Sequence, residues 1–208
     1  TTVTIGKATQ AVVTLTSTSG TFNTNLPLTA SGGTGSGSYS FSVSDAGVAV
    51  CSLATPTSLT STGAGSCTVT VTRASDDYYE PRSSLSTTVT FAKDSQASLS
   101  IRDLSGDLDT GISLATTGGT GTGAVSYSVT SGAANCSISS GVASARYAGS
   151  CSLTATKAAD ANYLQKQVTG TLTFIKATQA TLVATSVSGT YGTPITLTTS
   201  GGSGSGTV

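Results

Sequence analysis

The sequence predicts an all-β protein built from tandem antiparallel β-sandwiches of about seven strands each. Three observations lead to this prediction: the composition, a segment that recurs along the chain, and an alternation of apolar with hydroxyl side chains. Charged residues make up 9% of the 208 residues, whereas a typical soluble domain has roughly 25%. Hydrophobic residues make up 37%, which is enough to bury a core. Threonine and valine at alternate positions are typical of half-buried strands, because branched side chains pack well on a pleated sheet.

One segment of the chain occurs three times. Its copies are TTVTIGKATQAVVTL at 1–15, TTVTFAKDSQASLSI at 87–101 and GTLTFIKATQATLVA at 170–184. The lysines within the copies, Lys7, Lys93 and Lys176, are 86 and 83 residues apart. A period of this size, with turn signals roughly every 8–12 residues, is typical of a sandwich repeated head to tail.

Further landmarks follow each lysine in the same order. A strand, a Ser-Gly turn and an alternating strand come first, and then a glycine-rich turn: GGTGSG at 32–37, GGTGTG at 118–123 and GGSGSG at 201–206. The next strand has apolar residues at every second position, which places them on one face. These residues are Tyr39, Phe41 and Val43 in one copy and Val125, Tyr127 and Val129 in the next.

The repeat divides the chain into four parts. Residues 1–7 form the last strand of a preceding repeat, 8–93 and 94–176 are complete repeats, and 177–208 begin a third. The third part lacks about five strands, so it cannot close a core alone, and the chain is predicted to be a piece of a longer array. Only four residues, such as Lys-Ala-Thr-Gln, join one repeat to the next. Such short connections restrict tilting, so we expect a stiff rod with its junctions at Lys7, Lys93 and Lys176.

Each complete repeat contains two cysteines. Cys51 and Cys67 are 16 residues apart, and Cys136 and Cys151 are 15 apart. The even number in each repeat favours one disulfide per repeat, and strand parity points Cys67 and Cys151 into the core. Disulfides indicate an oxidising compartment. Buried free thiols and pairing between repeats are the alternatives, and a zinc site is disfavoured because the chain has no histidine.

The sequence offers little for catalysis or for binding a cofactor. Without histidine, a Ser-His-Asp or Cys-His site cannot be built. Asp76 and Asp160 are the carboxylates at matched positions, and each stands alone. The glycine-rich turns lack the Gly-Lys-Ser/Thr of a phosphate loop, so we interpret them as structural turns. The net charge is zero and no basic run occurs, which disfavours nucleic acid. No apolar run is long enough to cross a bilayer.

Three smaller features of the sequence each have a functional and a simpler interpretation. Asp103, Asp107 and Asp109 could supply oxygen ligands to a cation, but a solvated turn is the preferred interpretation. The spacing Asp-x-x-Tyr at 76–79 and 160–163 predicts a corner in which the tyrosine hydroxyl bonds back to its own loop. Tyr78 and Arg146 have no counterpart in the other repeat, which makes them candidates for an interface particular to one repeat.

Several segments resemble a known type of repeat. The runs SGTYGTPITLTTSGGSGSG, AGSCSLTATKAADANY and TLTFIKATQ are similar to the bacterial immunoglobulin-like repeats that occur in tandem in very long surface proteins. This resemblance implies an immunoglobulin-like sandwich that projects or spaces something from a bacterial surface, as in adhesins and extracellular fibres. It implies no catalytic residue.

These observations favour a structural function outside the cell. The leading expectation is a non-enzymatic, stiff stalk or fibre segment of a secreted or cell-surface protein, whose partners are the neighbouring repeats of the same chain. One alternative is a binding module whose loops recognise a carbohydrate or a partner protein. Another is lateral self-association into fibres, since a surface with so little charge opposes close contact weakly.

Overall fold

The protein is built from β-strands. The computed structural model describes residues 1–45, 49–102, 104–185 and 188–206, and every regular element in those ranges is a strand. None of these residues belongs to a helix with the length and apolar character of a membrane span. The chain forms two compact units: one comprises Thr1–Ile101, Thr116–Ser126 and Ala155–Val168, and the other Arg102–Ala115, Tyr127–Thr154 and Thr169–Val208. Because these units do not follow the predicted repeats, the repeat boundaries stay predictions.

Ten short strands occupy the chain up to Ala92. They are β1 (Val13–Leu15), β2 (Ser19–Thr21), β3 (Leu26–Pro27), β4 (Ala30–Gly32), β5 (Tyr39–Asp45), β6 (Cys51–Thr55), β7 (Ser58–Ser61), β8 (Gly65–Arg73), β9 (Arg82–Ser83) and β10 (Thr87–Ala92). One sheet has the order β2-β10-β8-β5, with β9 also paired to β8. A second sheet has the order β3-β7-β6, and β1 pairs with β4.

The core of this region follows the alternation in the sequence. On β8, Cys67, Val69 and Val71 are fully or almost fully buried, and the threonines between them are less so. Val89 and Phe91 on β10 are buried in the same way, and Val89 lies directly opposite Cys67. Other strands and loops complete this core with Val13, Leu15, Leu28, Ala49, Cys51 and Leu59.

Two details differ from the sequence prediction. The Ser-Gly turn predicted at 19–20 is a short strand, β2, which pairs with β10, whereas β1 pairs antiparallel with β4. This extra strand helps to raise the number of strands from about seven to ten. The β2–β10 pair is also parallel, with Ser19 opposite Thr90, so the prediction of purely antiparallel sheets is wrong there. The chain passes from the β1–β4 pair to the other sheet at β2, which runs in the same direction as β10.

The strand order recurs further along the chain. The strands are β11 (Leu99–Arg102), β12 (Ser105–Asp107), β13 (Ile112–Ser113), β14 (Ala115–Gly118), β15 (Val125–Ser131), β16 (Cys136–Ser139), β17 (Val142–Ala145), β18 (Gly149–Lys157) and β19 (Lys166–Ile175). The sheets have the orders β12-β19-β18-β15 and β13-β17-β16, and β11 pairs with β14. The pair β12–β19 is again parallel. Leu153, Leu172 and Phe174 are buried at the positions that correspond to Val69, Val89 and Phe91.

The last two strands carry almost no buried surface. They are β20 (Leu182–Ala184) and β21 (Thr199–Gly201), which pair antiparallel with each other. All six of their residues are exposed. Ile195 and Leu197, which precede β21, are 48% and 80% exposed.

Candidate functional site

Both predicted disulfides are present. Cys51 on β6 is bonded to Cys67 on β8, with 6.1 Å between their Cα atoms. Cys136 on β16 is bonded to Cys151 on β18, with a Cα separation of 6.5 Å. All four side chains are buried. Because β6 and β8 belong to different sheets, as do β16 and β18, each disulfide joins one sheet to another.

A buried glutamine holds the first glycine-rich turn. The Gln10 side chain is 1% exposed, and its Nε2 donates to the carbonyl oxygens of Ala74 and Glu80 at 3.0 and 2.9 Å. Its Oε1 accepts a hydrogen bond of 3.3 Å from the backbone N–H of Gly35. A buried amide is costly unless its polar atoms are paired, and these three bonds pair both ends of it. Gln10 therefore ties the turn at 32–37 to the segment at 74–80.

The same arrangement occurs around Gln96. Its Nε2 donates to the carbonyl oxygens of Ala158 and Leu164 at 3.1 and 2.9 Å, and its Oε1 accepts from the N–H of Gly121. Strand alternation alone does not assign these glutamines to the core, because they lie outside the strands. The available signal was a long polar residue three positions after each lysine, in a segment otherwise made of small or apolar residues.

Asp76 fastens the corner at 76–79 to the glycine-rich turn. One carboxylate oxygen accepts hydrogen bonds from the N–H and the hydroxyl of Ser36 at 2.5 and 3.1 Å. The other accepts from the N–H groups of Tyr78 and Tyr79, both at 2.9 Å. The bond from the Ser36 N–H, followed by that from Tyr78, lowers the pKa of Asp76 to about 2. The bonds that hold this corner, predicted to come from the tyrosine hydroxyl, are made by the Asp76 carboxylate.

Asp160 repeats this geometry at 160–163. Its carboxylate accepts from the N–H and hydroxyl of Thr122 and from the N–H groups of Asn162 and Tyr163. These backbone bonds, with that from Thr122 the largest cause, lower its pKa to about 2. The predicted bond from the tyrosine hydroxyl to its own loop is wrong here, because the Tyr163 hydroxyl contacts Asn23 instead. The hydroxyl of Tyr163 thus bonds to a side chain 140 residues earlier in the chain.

Acid should weaken these two corners. The pKa of each carboxyl lies below its ordinary value of 3.8, so each carboxylate stabilises the fold above pH 3.8, and this contribution is lost as the pH falls toward 2. We expect the variant Asp76→Asn/Asp160→Asn to be less stable than wild type near neutral pH, with the difference shrinking as the pH approaches 2. Urea unfolding between about pH 6 and pH 2 measures this. Asp77→Asn, at an exposed neighbouring position, is the control. A stability difference that stays constant with pH in the double variant would contradict the assignment.

A cluster of side chains surrounds the predicted junction at 93–94. We call Phe22, Asn23, Asp94, Asn162 and Tyr163 the junction cluster, and all five belong to the first compact unit. The Asn23 Nδ2 donates to the Tyr163 hydroxyl at 3.0 Å and to an Asp94 carboxylate oxygen at 3.2 Å. The Phe22 and Tyr163 rings meet edge to face, with centroids 5.6 Å apart. Side chains before and after Lys93 are therefore in direct contact.

Backbone bonds reinforce the junction cluster. The Ala64 N–H donates to the side-chain oxygen of Asn162 at 2.9 Å. The Asp94 N–H donates to the carbonyl of Asn162, and the Leu164 N–H donates to the carbonyl of Asp94, both at 2.9 Å. The Lys93 ammonium donates to the carbonyl of Asp160. Lys93, at the predicted junction, is therefore bonded to a residue 67 positions further along the chain.

The other two lysines of the recurring segment, Lys7 and Lys176, are exposed, as Lys93 is. Beside Lys7 the backbone frame is the same, since the Ala8 N–H donates to the carbonyl of Tyr78 and the Glu80 N–H donates to the carbonyl of Ala8. Tyr78 takes the place of Asn162 in this frame and is 77% exposed. Arg146, the other residue without a counterpart, is also exposed.

The acidic residues do not form a cation site among the described positions. Asp103 lies outside the described residues, Asp107 ends β12, and Asp109 lies in the turn that follows. Within residues 1–45, 49–102, 104–185 and 188–206, no three Asp, Glu, Cys or His side chains come together in a way that could hold a metal ion.

Comparisons with known proteins give little support for an assignment. No protein-family model matches the chain, and no curated protein matches it. One solved structure that it resembles is the crystal structure of Drosophila N-cadherin EC1-4, at 14% sequence identity and a TM-score of 0.28. The match covers 87% of this chain and 52% of the cadherin chain. A likeness at this level carries no inference about function.

Proposed function

We propose that this chain is a segment of a stiff stalk or fibre, made of tandem immunoglobulin-like sandwiches, in a bacterial secreted or cell-surface protein. Its function on this proposal is structural and not enzymatic. The observation that carries the proposal is the junction cluster, because it connects side chains of one predicted repeat, at residues 22 and 23, to side chains of the next, at residues 94 and 163. A freely hinged connection has few such contacts.

The contacts are strong enough to restrict bending. Each hydrogen bond of Asn23 contributes about 0.5–1.5 kcal/mol, and an edge-to-face ring pair such as Phe22 with Tyr163 contributes about as much. Asn23 has φ of 66°, a left-handed conformation that asparagine adopts more readily than most residues. This conformation holds its amide between Asp94 and Tyr163. Bending at Lys93 would break several of these contacts at once.

The disulfides support a location outside the cell. Stable disulfides persist in oxidising compartments and are rare in the cytosol. Both disulfides here are buried and close short loops of the sandwich. Serine and threonine cover much of the exposed surface, as suits a spacer that need not bind the molecules around it.

The variant Asn23→Gly/Tyr163→Phe tests the stalk proposal. Glycine keeps the left-handed backbone at position 23, so the variant removes only the amide and the hydroxyl of the junction cluster. We expect the Ala64 and Asp94 amides to exchange hydrogen about tenfold faster, because a loss of about 1.4 kcal/mol in local stability is a factor of ten. NMR relaxation should show residues 8–93 and 94–176 of the wild type tumbling together, and more independently in the variant.

The matched control is Asn25→Gly/Tyr78→Phe. It makes the same chemical changes at an exposed asparagine of the same turn and at the exposed tyrosine beside Ala8. This control should leave the exchange of Ala64 and Asp94 unchanged. If the two repeats of the wild-type chain tumbled independently, the stalk proposal would fail whatever the variants did.

A further inference from the structure

One side of the first sandwich is open. Strand β5 is the last strand of the sheet β2-β10-β8-β5, and β6 is the last strand of the sheet β3-β7-β6. A groove runs between these two strands in two adjoining parts, with volumes of about 520 and 450 Å³. Phe41 and Leu53 line both parts, and the buried Cys51 lines one of them. The groove is about as long as the six residues 39–44.

No strand of the described residues pairs with the outer edge of β5, so this edge presents unpaired backbone groups. In an antiparallel pair, successive residues alternate between bonding to the partner strand and pointing away from it. The Ala74 N–H donates to the carbonyl of Ser38, and in the same register Ser40 and Ser42 face β8. The N–H and C=O groups of Phe41 and Val43 therefore point away from β8. They form the free edge to which another strand could bond.

The chemistry of the groove selects an uncharged extended strand. Of the described residues that line it, none is charged, and serines alternate with Tyr39, Phe41 and Val43. Lysines, prolines or bulges in an edge strand usually prevent it from pairing with a strand of another molecule. The described part of β5 has neither lysine nor proline, and its register shift comes only after Val43. An occupant must supply backbone partners and alternating apolar side chains, without a charge that the groove would have to desolvate.

We propose that β5 of a second copy of this chain occupies this edge, antiparallel, so that two copies join side by side through a two-fold contact. The sequence YSFSVS of β5 is uncharged and has apolar side chains at alternate positions, as the occupant of the groove must. Because the same edge serves on both copies, the contact closes as a dimer. A six-residue strand is about 20 Å long, so the contact is smaller than the usual stable interface. One pair of edges therefore binds weakly, and the overall affinity rises when several repeats of two arrays pair at the same time. This inference goes beyond the stalk proposal and does not depend on a stiff junction.

A charge-swap experiment on the full chain tests this contact. Ser42 is exposed on the outer face of β5, so in the two-fold pair it lies opposite or next to its counterpart. Wild type should form dimers reversibly in sedimentation equilibrium, and Ser42→Lys or Ser42→Glu alone should weaken dimerisation at least about tenfold. An equimolar mixture of the two variants should dimerise again. Thr88→Lys, an exposed position on the inner strand β10, should dimerise as wild type does.

Each other result overturns the inference. A wild-type chain that is monomeric at millimolar concentration has no such contact, whether or not the edge binds a different protein. Dimers that survive Ser42→Lys, or that Thr88→Lys also abolishes, form through another surface. The Ser42→Lys and Ser42→Glu chains can dimerise with each other only if both are folded. Dimers in their mixture therefore show that neither variant lost dimerisation through misfolding. None of these outcomes affects the junction measurements, so the two proposals fail separately.

Discussion

Replacing Cys51 and Cys67 together with alanine is expected to lower the free energy of unfolding of the first sandwich by about 3 kcal/mol. The disulfide closes a loop of 16 residues and so restricts the unfolded chain, and the chain-entropy estimate for a loop of about this length is roughly 3 kcal/mol. Both sulfurs are also part of the buried core, where their loss removes packing. Urea unfolding monitored by tyrosine fluorescence measures the change.

The second disulfide provides the matched comparison. Cys136→Ala/Cys151→Ala removes a bridge of 15 residues at the same place in the strand order, so it should cost a similar amount. Its effect should appear in the amides of β16 and β18 and leave those of β6 and β8 unchanged. A loss below about 1 kcal/mol in either variant would contradict the stabilising role of the bridge.

Gly32→Ala is expected to lower the free energy of unfolding by about 2–5 kcal/mol. Gly32 has φ of 86°, and a left-handed conformation costs most other residues about 1–2 kcal/mol. A methyl group there would also collide with the backbone oxygen of Val12, and relieving such overpacking typically costs about 1–3 kcal/mol. The collision lies at the β1–β4 pair, so thermal or urea unfolding of the whole chain should report it.

Two other glycines separate the two causes. Gly141 has φ of 78° with open space around its Cα, so Gly141→Ala should show only the conformational cost. Gly6 has open space as well and is exposed, so Gly6→Ala should change stability by less than about 0.5 kcal/mol. Equal losses for Gly32→Ala and Gly141→Ala would mean that the contact with Val12 has no energetic role.

The sequence was sufficient for those features that a local pattern determines. Alternation alone placed Cys67, Val69 and Val71 on the buried face of β8, because successive side chains of a strand point to opposite sides. The cysteine spacing predicted both disulfides, and the glycine-rich turns do contain left-handed glycines, such as Gly32 and Gly33. Each of these features depends on residues that are close in sequence or repeated in register.

Features that depend on distant residues could not be predicted. Asn23 and Tyr163 are 140 residues apart, and Gln10 bonds to residues 64 and 70 positions away. An asparagine in a turn and a glutamine in a linker are ordinary surface residues until the fold brings their partners to them. The parallel pairing of β2 with β10 is similar, since nothing in Ser19–Thr21 indicates which strand it will join.

The parallel β2–β10 pair determines how the sandwich responds to tension. Strand β2 lies near the beginning of the first predicted repeat and β10 at its end. A pull on the two ends of the repeat draws these strands past each other, so their hydrogen bonds bear the load together and are not opened one after another. The chain between Cys51 and Cys67 lies inside a covalent loop and cannot lengthen under that load. An array of such repeats would resist stretching in two ways. The hydrogen bonds between β2 and β10 would have to break together, and the segment inside each disulfide loop could not extend.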